Sequence, residues 1–119
     1  MTYPKLKSHF LAAQRLVAEK RPEMASIKLQ VGCPDIETRR QHGDQRSYMH
    51  VGHHKNTICV HEDAEDLDAS HLWGLFLHEF GHLLVGPENG EGEANLAINK
   101  AFGISILYDE NMLQFVEGL

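Results

Sequence analysis

Apolar residues recur at spacings of three and four between residues 5 and 20, at Leu6, Phe10, Ala13, Leu16 and Val17. That period predicts an amphipathic helix, stopped by Pro22. The period then changes. Ile27, Leu29 and Val31 alternate with Ser26, Lys28 and Gln30, so residues 26–31 read as a half-buried strand. Residues 32–45 hold Gly32, Pro34, Gly43 and many charges, and read as a loop. Residues 48–51 and 57–60 are two short strand candidates, and residues 53–56 would turn the chain between them to make a hairpin.

After Glu62 the pattern changes again. Asp66 or Asp68 suits a helix N-cap. Residues 72–85 are almost entirely apolar, and Gly86-Pro87 ends the run. A helix apolar nearly all round belongs at the centre of its domain. Gly90 to Gly92 then lead into a last helix, about residues 91–108. The predicted order is α-β-β-β-α-α, an α+β domain with a three-stranded sheet. There is no internal repeat, low-complexity stretch or long linker, and 119 residues suit one domain over 1–119.

Composition narrows the partners. Net charge is −6, from 17 acidic and 11 basic residues without a Lys/Arg cluster. That balance argues against nucleic acid or an anionic membrane as partner. No apolar run approaches the ~20 residues that span a bilayer. Residues 1–10 show no apolar signal segment, and two cysteines, Cys33 and Cys59, make no disulfide framework. The expectation is a cytoplasmic protein. The unusual number is nine histidines.

Two of those histidines fall inside the buried apolar helix. Residues 78–82 read His78-Glu79-Phe80-Gly81-His82, an HExxH motif. On a helix, positions i and i+4 share a face, so both imidazoles can reach one zinc ion at about 2.0–2.1 Å. Glu79 points about 100° away on the helical wheel. It can sit beside a zinc-activated water and take its proton as general base. Composition alone produces these five letters somewhere in about 6% of such chains. Their burial therefore carries the argument, because two histidines and a glutamate in an apolar helix are costly unless paired or ligated.

Such a site needs a third protein ligand. The next helix opens with Glu91-Gly92-Glu93-Ala94-Asn95. Glu91 and Asn95 are four apart and share a face, which Ile98 and Phe102 continue inward. Glu93 points about 200° from Glu91, nearer solvent. Glu91 is therefore the chosen ligand, and Asn95 its neighbour, placed to orient His78 or His82 through a ring N–H. If the helix starts only at Glu93, Glu93 takes that role. Eight residues separate His82 from Glu91, enough for a helix hairpin that returns towards the histidines.

The HEFGHLL stretch followed by E-x-E-A-N resembles the gluzincin metallopeptidases, and within them is most similar to the ImmA/IrrE type. The likeness covers about residues 57–102. It implies a minimal zincin-like domain, zinc ligands His78, His82 and Glu91, and Glu79 as catalytic acid/base. By analogy it also implies a peptide or protein substrate, for which a repressor-like protein is one candidate. The expected activity is zinc-dependent endopeptidase. The competing reading is a catalytically silent zincin-like module that binds protein around a structural zinc. A peptide would lie along a sheet edge supplied by residues 47–61. Tyr108, His61 and Tyr48 are candidates to stabilise the oxyanion.

The remaining residues take ordinary readings. His71 shares the stripe of His78 but lies about 10 Å away along the axis, as a surface residue of the helix start. His50, His53, His54 and His61 cluster around a solvated hairpin. Cys59 is a buried strand residue, and Cys33 a loop thiol. The acidic run 63–68 is a solvated helix start with cap residues. Trp73, Phe76 and Phe80 belong to the core.

Overall fold

The computed structural model describes residues 2–32, 48–51, 55–86 and 90–117, with the Glu91 side chain outside the description. The helices are α1 (Pro4–Ala18), α2 (Ala69–Val85) and α3 (Glu91–Phe102). The strands are β1 (Lys28–Val31), β2 (Met49–Val51), β3 (Thr57–Val60), β4 (Ile106–Tyr108) and β5 (Gln114–Val116). Two 3-10 turns, Pro22–Ser26 and Glu62–Asp66, lead into β1 and α2. The architecture is α+β, as the hydrophobic pattern predicts. No helix among the described residues is long and apolar enough to cross a membrane.

The larger sheet has the order β1-β3-β2, with β1 parallel and β2 antiparallel to β3. Register puts Leu29, Val31, Met49, Val51, Ile58 and Val60 on one face. That face joins the core formed with α1 and α2. Leu6, Phe10, Ala13 and Val17 are the buried stripe of α1. Phe10 stacks on Phe80 at 6.0 Å and meets Phe76 edge-on at 5.8 Å, which fixes α1 against α2. Phe76 and Phe80 are core residues as expected, while Trp73 is partly buried beside them. The opposite sheet face carries His50 and Cys59 as direct cross-strand partners, both buried.

Four expectations need correction. Residues 26 and 27 lie outside the strand, because Ser26 ends a 3-10 turn and Ile27 caps it, and the Met24 and Ile27 carbonyls accept from the Gln14 amide. The last helix ends at Phe102 rather than near Tyr108. Gly103 takes the left-handed conformation at φ 70, a C-cap that a Cβ disfavours, and the chain then forms the β4–β5 hairpin. His50 and His61 are buried, not part of a solvated turn, whereas His53, His54 and Cys33 lie outside the described residues. The acidic run is only partly a solvated helix start. Asp68 does cap α2, accepting from the His71 N–H at 3.1 Å.

Glu65 in the same run caps a different helix. Its two carboxylate oxygens accept from the Lys5 and Leu6 N–H groups at 3.0 and 2.9 Å, at the start of α1. Tyr3, the N-cap residue, makes no side-chain cap of its own, and its hydroxyl donates to Glu62. The anion therefore sits where the helix dipole favours it, and satisfies two amides that α1 leaves open. Glu65→Ala is expected to cost about 1 kcal/mol. Thermal denaturation should show a loss of roughly 3–5 °C in Tm. An unchanged Tm would mean that the cap is not stabilising.

Candidate metal centre

The site is built on α2, the most apolar helix of the chain. Asp68 starts it, Gly86 ends it, and Leu72, Leu75, Phe76, Leu77 and Phe80 bury it against the other elements. Helical period then carries His78 and His82 inward together. The two are 2% and 8% exposed, and Glu79 is 5% exposed. Three ionisable side chains thus share the interior of an apolar helix, where burial without partners is strongly unfavourable.

Their geometry is that of a ligand set. His78 Nε2 and His82 Nε2 lie 3.1 Å apart, with the rings edge-on and centroids 4.6 Å apart. Two imidazoles that share one tetrahedral ion at 2.0–2.1 Å would have their nitrogens about 3.3 Å apart. The Glu79 Oε2 is 3.6 Å from His78 Nε2. Among the described residues, His78, Glu79 and His82 form a group whose ligand atoms all lie within 4.8 Å of one another. The group could hold a metal ion.

Asn95 meets the ring of His78. Its side-chain oxygen lies 2.7 Å from His78 Nδ1. An amide oxygen only accepts, so this contact is a hydrogen bond when His78 carries a proton on Nδ1, and Nε2 is the ring nitrogen turned towards His82. A neutral histidine in that tautomer is ready to ligate a cation, and the outer hydrogen bond fixes the ring plane. Asn95 thus lies where its i, i+4 spacing from Glu91 places it, against the ring of His78.

The helix hairpin expected after His82 is present. α2 ends at Val85 and α3 starts at Glu91, with Gly90 as N-cap. α3 is already helical at Glu91, so Glu91 and Asn95 share a face. The Glu91 side chain lies outside the described residues. Glu93 is exposed and lines a shallow groove with Val85, Leu96, Ala97 and Lys100. Ile98 is fully buried and Phe102 partly so, as the inward face of α3 requires.

The hairpin is tight because Gly81 lets the backbones meet. A Cβ at Gly81 would lie 2.8 Å from the Ala94 carbonyl carbon and closer still to its oxygen. Gly74 makes the same allowance for β5, since a Cβ there would lie 2.6 Å from Phe115 Cα. Both glycines fall on the side of α2 that carries His78, with β5 passing about one turn before His78 and α3 passing between His78 and His82.

Of the three oxyanion candidates, His61 and Tyr48 lie together and Tyr108 is on the second hairpin. Tyr108 is 43% exposed on β4. The buried His61 uses Nδ1 to accept from the Asp63 N–H at 3.1 Å, closing the 3-10 turn before α2. Tyr48 precedes β2, and its carbonyl accepts from the His61 N–H. His71 is not the surface residue its position suggested. Its side chain is 18% exposed and lies between Asp68 and Asp109. The i, i+3 spacing of Asp68 and His71 was a local signal for half of that arrangement; Asp109 is too far along the chain to be paired with it by pattern.

No family model, curated protein or solved structure matches this chain. The fold and the site together define a small α+β protein with a buried His-Glu-His group on its central helix.

Proposed function

We propose that the protein is a zinc-dependent endopeptidase of gluzincin type, with His78, His82 and Glu91 as metal ligands and Glu79 as general base. The observation that supports this most directly is the convergence of His78 Nε2, His82 Nε2 and the Glu79 carboxylate inside α2, with Asn95 Oδ1 against His78 Nδ1. A bound zinc supplies an acidified water and polarises the scissile carbonyl. Glu79 would serve as the proton carrier, taking a proton from the attacking water and passing it to the leaving amine. His78 and His82 would present their Nε2 atoms to the ion, and Asn95 keeps the His78 ring from turning away. β2 is an edge strand of its sheet among the described residues and packs on α2. A peptide substrate adding to that edge would be held extended beside the site.

Mass spectrometry of metal content, paired with a peptide-cleavage assay, tests the reading. The wild type is expected to carry about one zinc per chain after reconstitution, and His82→Ala and Glu91→Ala much less. Chelation should abolish cleavage, and added zinc should restore it. If Glu91→Ala keeps its zinc, the third ligand lies elsewhere. A wild type that takes up no zinc overturns the proposal and leaves the histidines a packing role.

A further inference from the structure

The β4–β5 hairpin cannot rest on its own strength. Each strand has three residues, and a two-stranded ribbon is marginal in water unless it packs on something. It packs on α2, where the β5 backbone runs against Gly74 and the Phe115 ring lies 5.8 Å from the ring of His71. The turn of the hairpin is organised by one side chain. Asp109 Oδ1 accepts from the Asn111 and Leu113 N–H groups at 2.8 and 2.9 Å, across a turn in which Met112 adopts φ 65. The other oxygen of Asp109 reaches α2, 2.8 Å from His71 Nε2.

His71 faces carboxylates on both sides. Its Nδ1 lies 2.6 Å from Asp68 Oδ1, and its Nε2 is committed to Asp109. Ionised carboxylates only accept, so both contacts are hydrogen bonds only when both ring nitrogens carry protons. A neutral imidazole would set one lone pair against a carboxylate oxygen. The Asp68 contact lies within three residues of one helix and is held by local geometry. The Asp109 contact spans 38 residues and is the one that joins two elements.

We propose that Asp68, His71 and Asp109 form a proton-dependent latch that holds the β4–β5 hairpin on α2, closed while His71 is a cation and released when it becomes neutral. The charged groups acting on His71 are Asp68 from the cap of α2 and Asp109 from the hairpin turn; β5 contributes the uncharged Phe115 ring. Burial lowers the His71 pKa, but the hydrogen bonds and charges of the two aspartates outweigh it, and the net direction is upward. Hydrogen bonds from His71 hold Asp68 down to about 2. The Leu113 amide, then His71, lower Asp109.

The signs define a window. A raised histidine pKa contributes fully below the ordinary value of about 6.5, and that contribution disappears as pH rises through the raised value. The lowered Asp109 contributes above the ordinary carboxylate range and is lost as pH falls through its own value. The latch is closed between those limits and opens from the alkaline side through His71. The proposal does not depend on the histidine pair holding a metal.

A residue-resolved NMR pH titration of the full chain tests it, with hydrogen exchange followed in parallel. The His71 ring is expected to titrate above about 6.5. Amides of residues 109–116 should shift with the same midpoint, and their exchange protection should fall severalfold across it while that of α1 does not. Asp109→Asn keeps an oxygen for the turn amides but removes the charge; it should lower the His71 midpoint and weaken the coupling. His71→Gln should flatten the pH response of the hairpin. A His71 midpoint at or below the ordinary value, or hairpin amides that ignore it, overturns the latch.

Discussion

Glu79→Gln is expected to retain its metal and to lose peptide hydrolysis by about 10²–10⁴-fold, the range a positioned general base supplies. Glutamine preserves the volume of a side chain that is 5% exposed inside α2, so the fold should be little disturbed. What disappears is the capacity to take a proton 3.6 Å from His78 Nε2. On the proposed mechanism the carboxylate acts in the reaction rather than in binding, so the loss should fall on kcat and leave KM nearly unchanged. Metal content divides the outcomes. Retained zinc with lost turnover assigns Glu79 as base and leaves the third ligand to α3. Lost zinc assigns Glu79 to the coordination shell, so that His78, Glu79 and His82 hold the ion themselves. Unchanged turnover would reject the mechanism.

The parts of this structure that were legible in the sequence are those written in local period. α2 is legible because a long apolar run ends at Gly86, and the histidine pair because i and i+4 share a face. Asn95 follows from the same rule applied to α3, and the β2–β3 pairing from two short runs around a turn. What escaped depends on residues far apart in the chain. Glu65 looks like a cap for the helix that follows it, yet it caps α1, 60 residues away. His71 looks like a surface residue until Asp109 folds back onto it. β4 falls inside the predicted last helix because Ile104, Ile106 and Leu107 continue an apolar pattern past Gly103, and β5 lies beyond it without a predicted element. Three-residue strands carry too few alternations to outweigh that pattern, and packing on α2 decides their form.

The closeness of α2 and α3 leads to a prediction whose sign is opposite to helix propensity. At an open helical position, glycine to alanine is worth up to about 1 kcal/mol of added stability. Gly92 is such a position, since nothing lies within 4 Å of a Cβ built there. Gly92→Ala should therefore raise Tm slightly. Gly81→Ala should lower it, because its methyl group would enter the Ala94 backbone, and a backbone atom cannot rotate aside as a side-chain end does. Forced repacking of this kind costs about 1–3 kcal/mol, which exceeds the propensity gain. The strain is relieved only if α3 moves outward, and Asn95, the residue after Ala94, moves with it. The 2.7 Å contact between Asn95 Oδ1 and His78 Nδ1 then lengthens. Zinc affinity should fall by about 10–100-fold, the usual effect of losing an outer hydrogen-bond partner. Thermal denaturation and a competitive zinc titration read the two effects separately. Equal Tm values for the two alanine variants would show that the helices do not meet at Gly81. A destabilised Gly81→Ala with wild-type zinc affinity would show that Asn95 holds its place, or that its hydrogen bond contributes little to ligation.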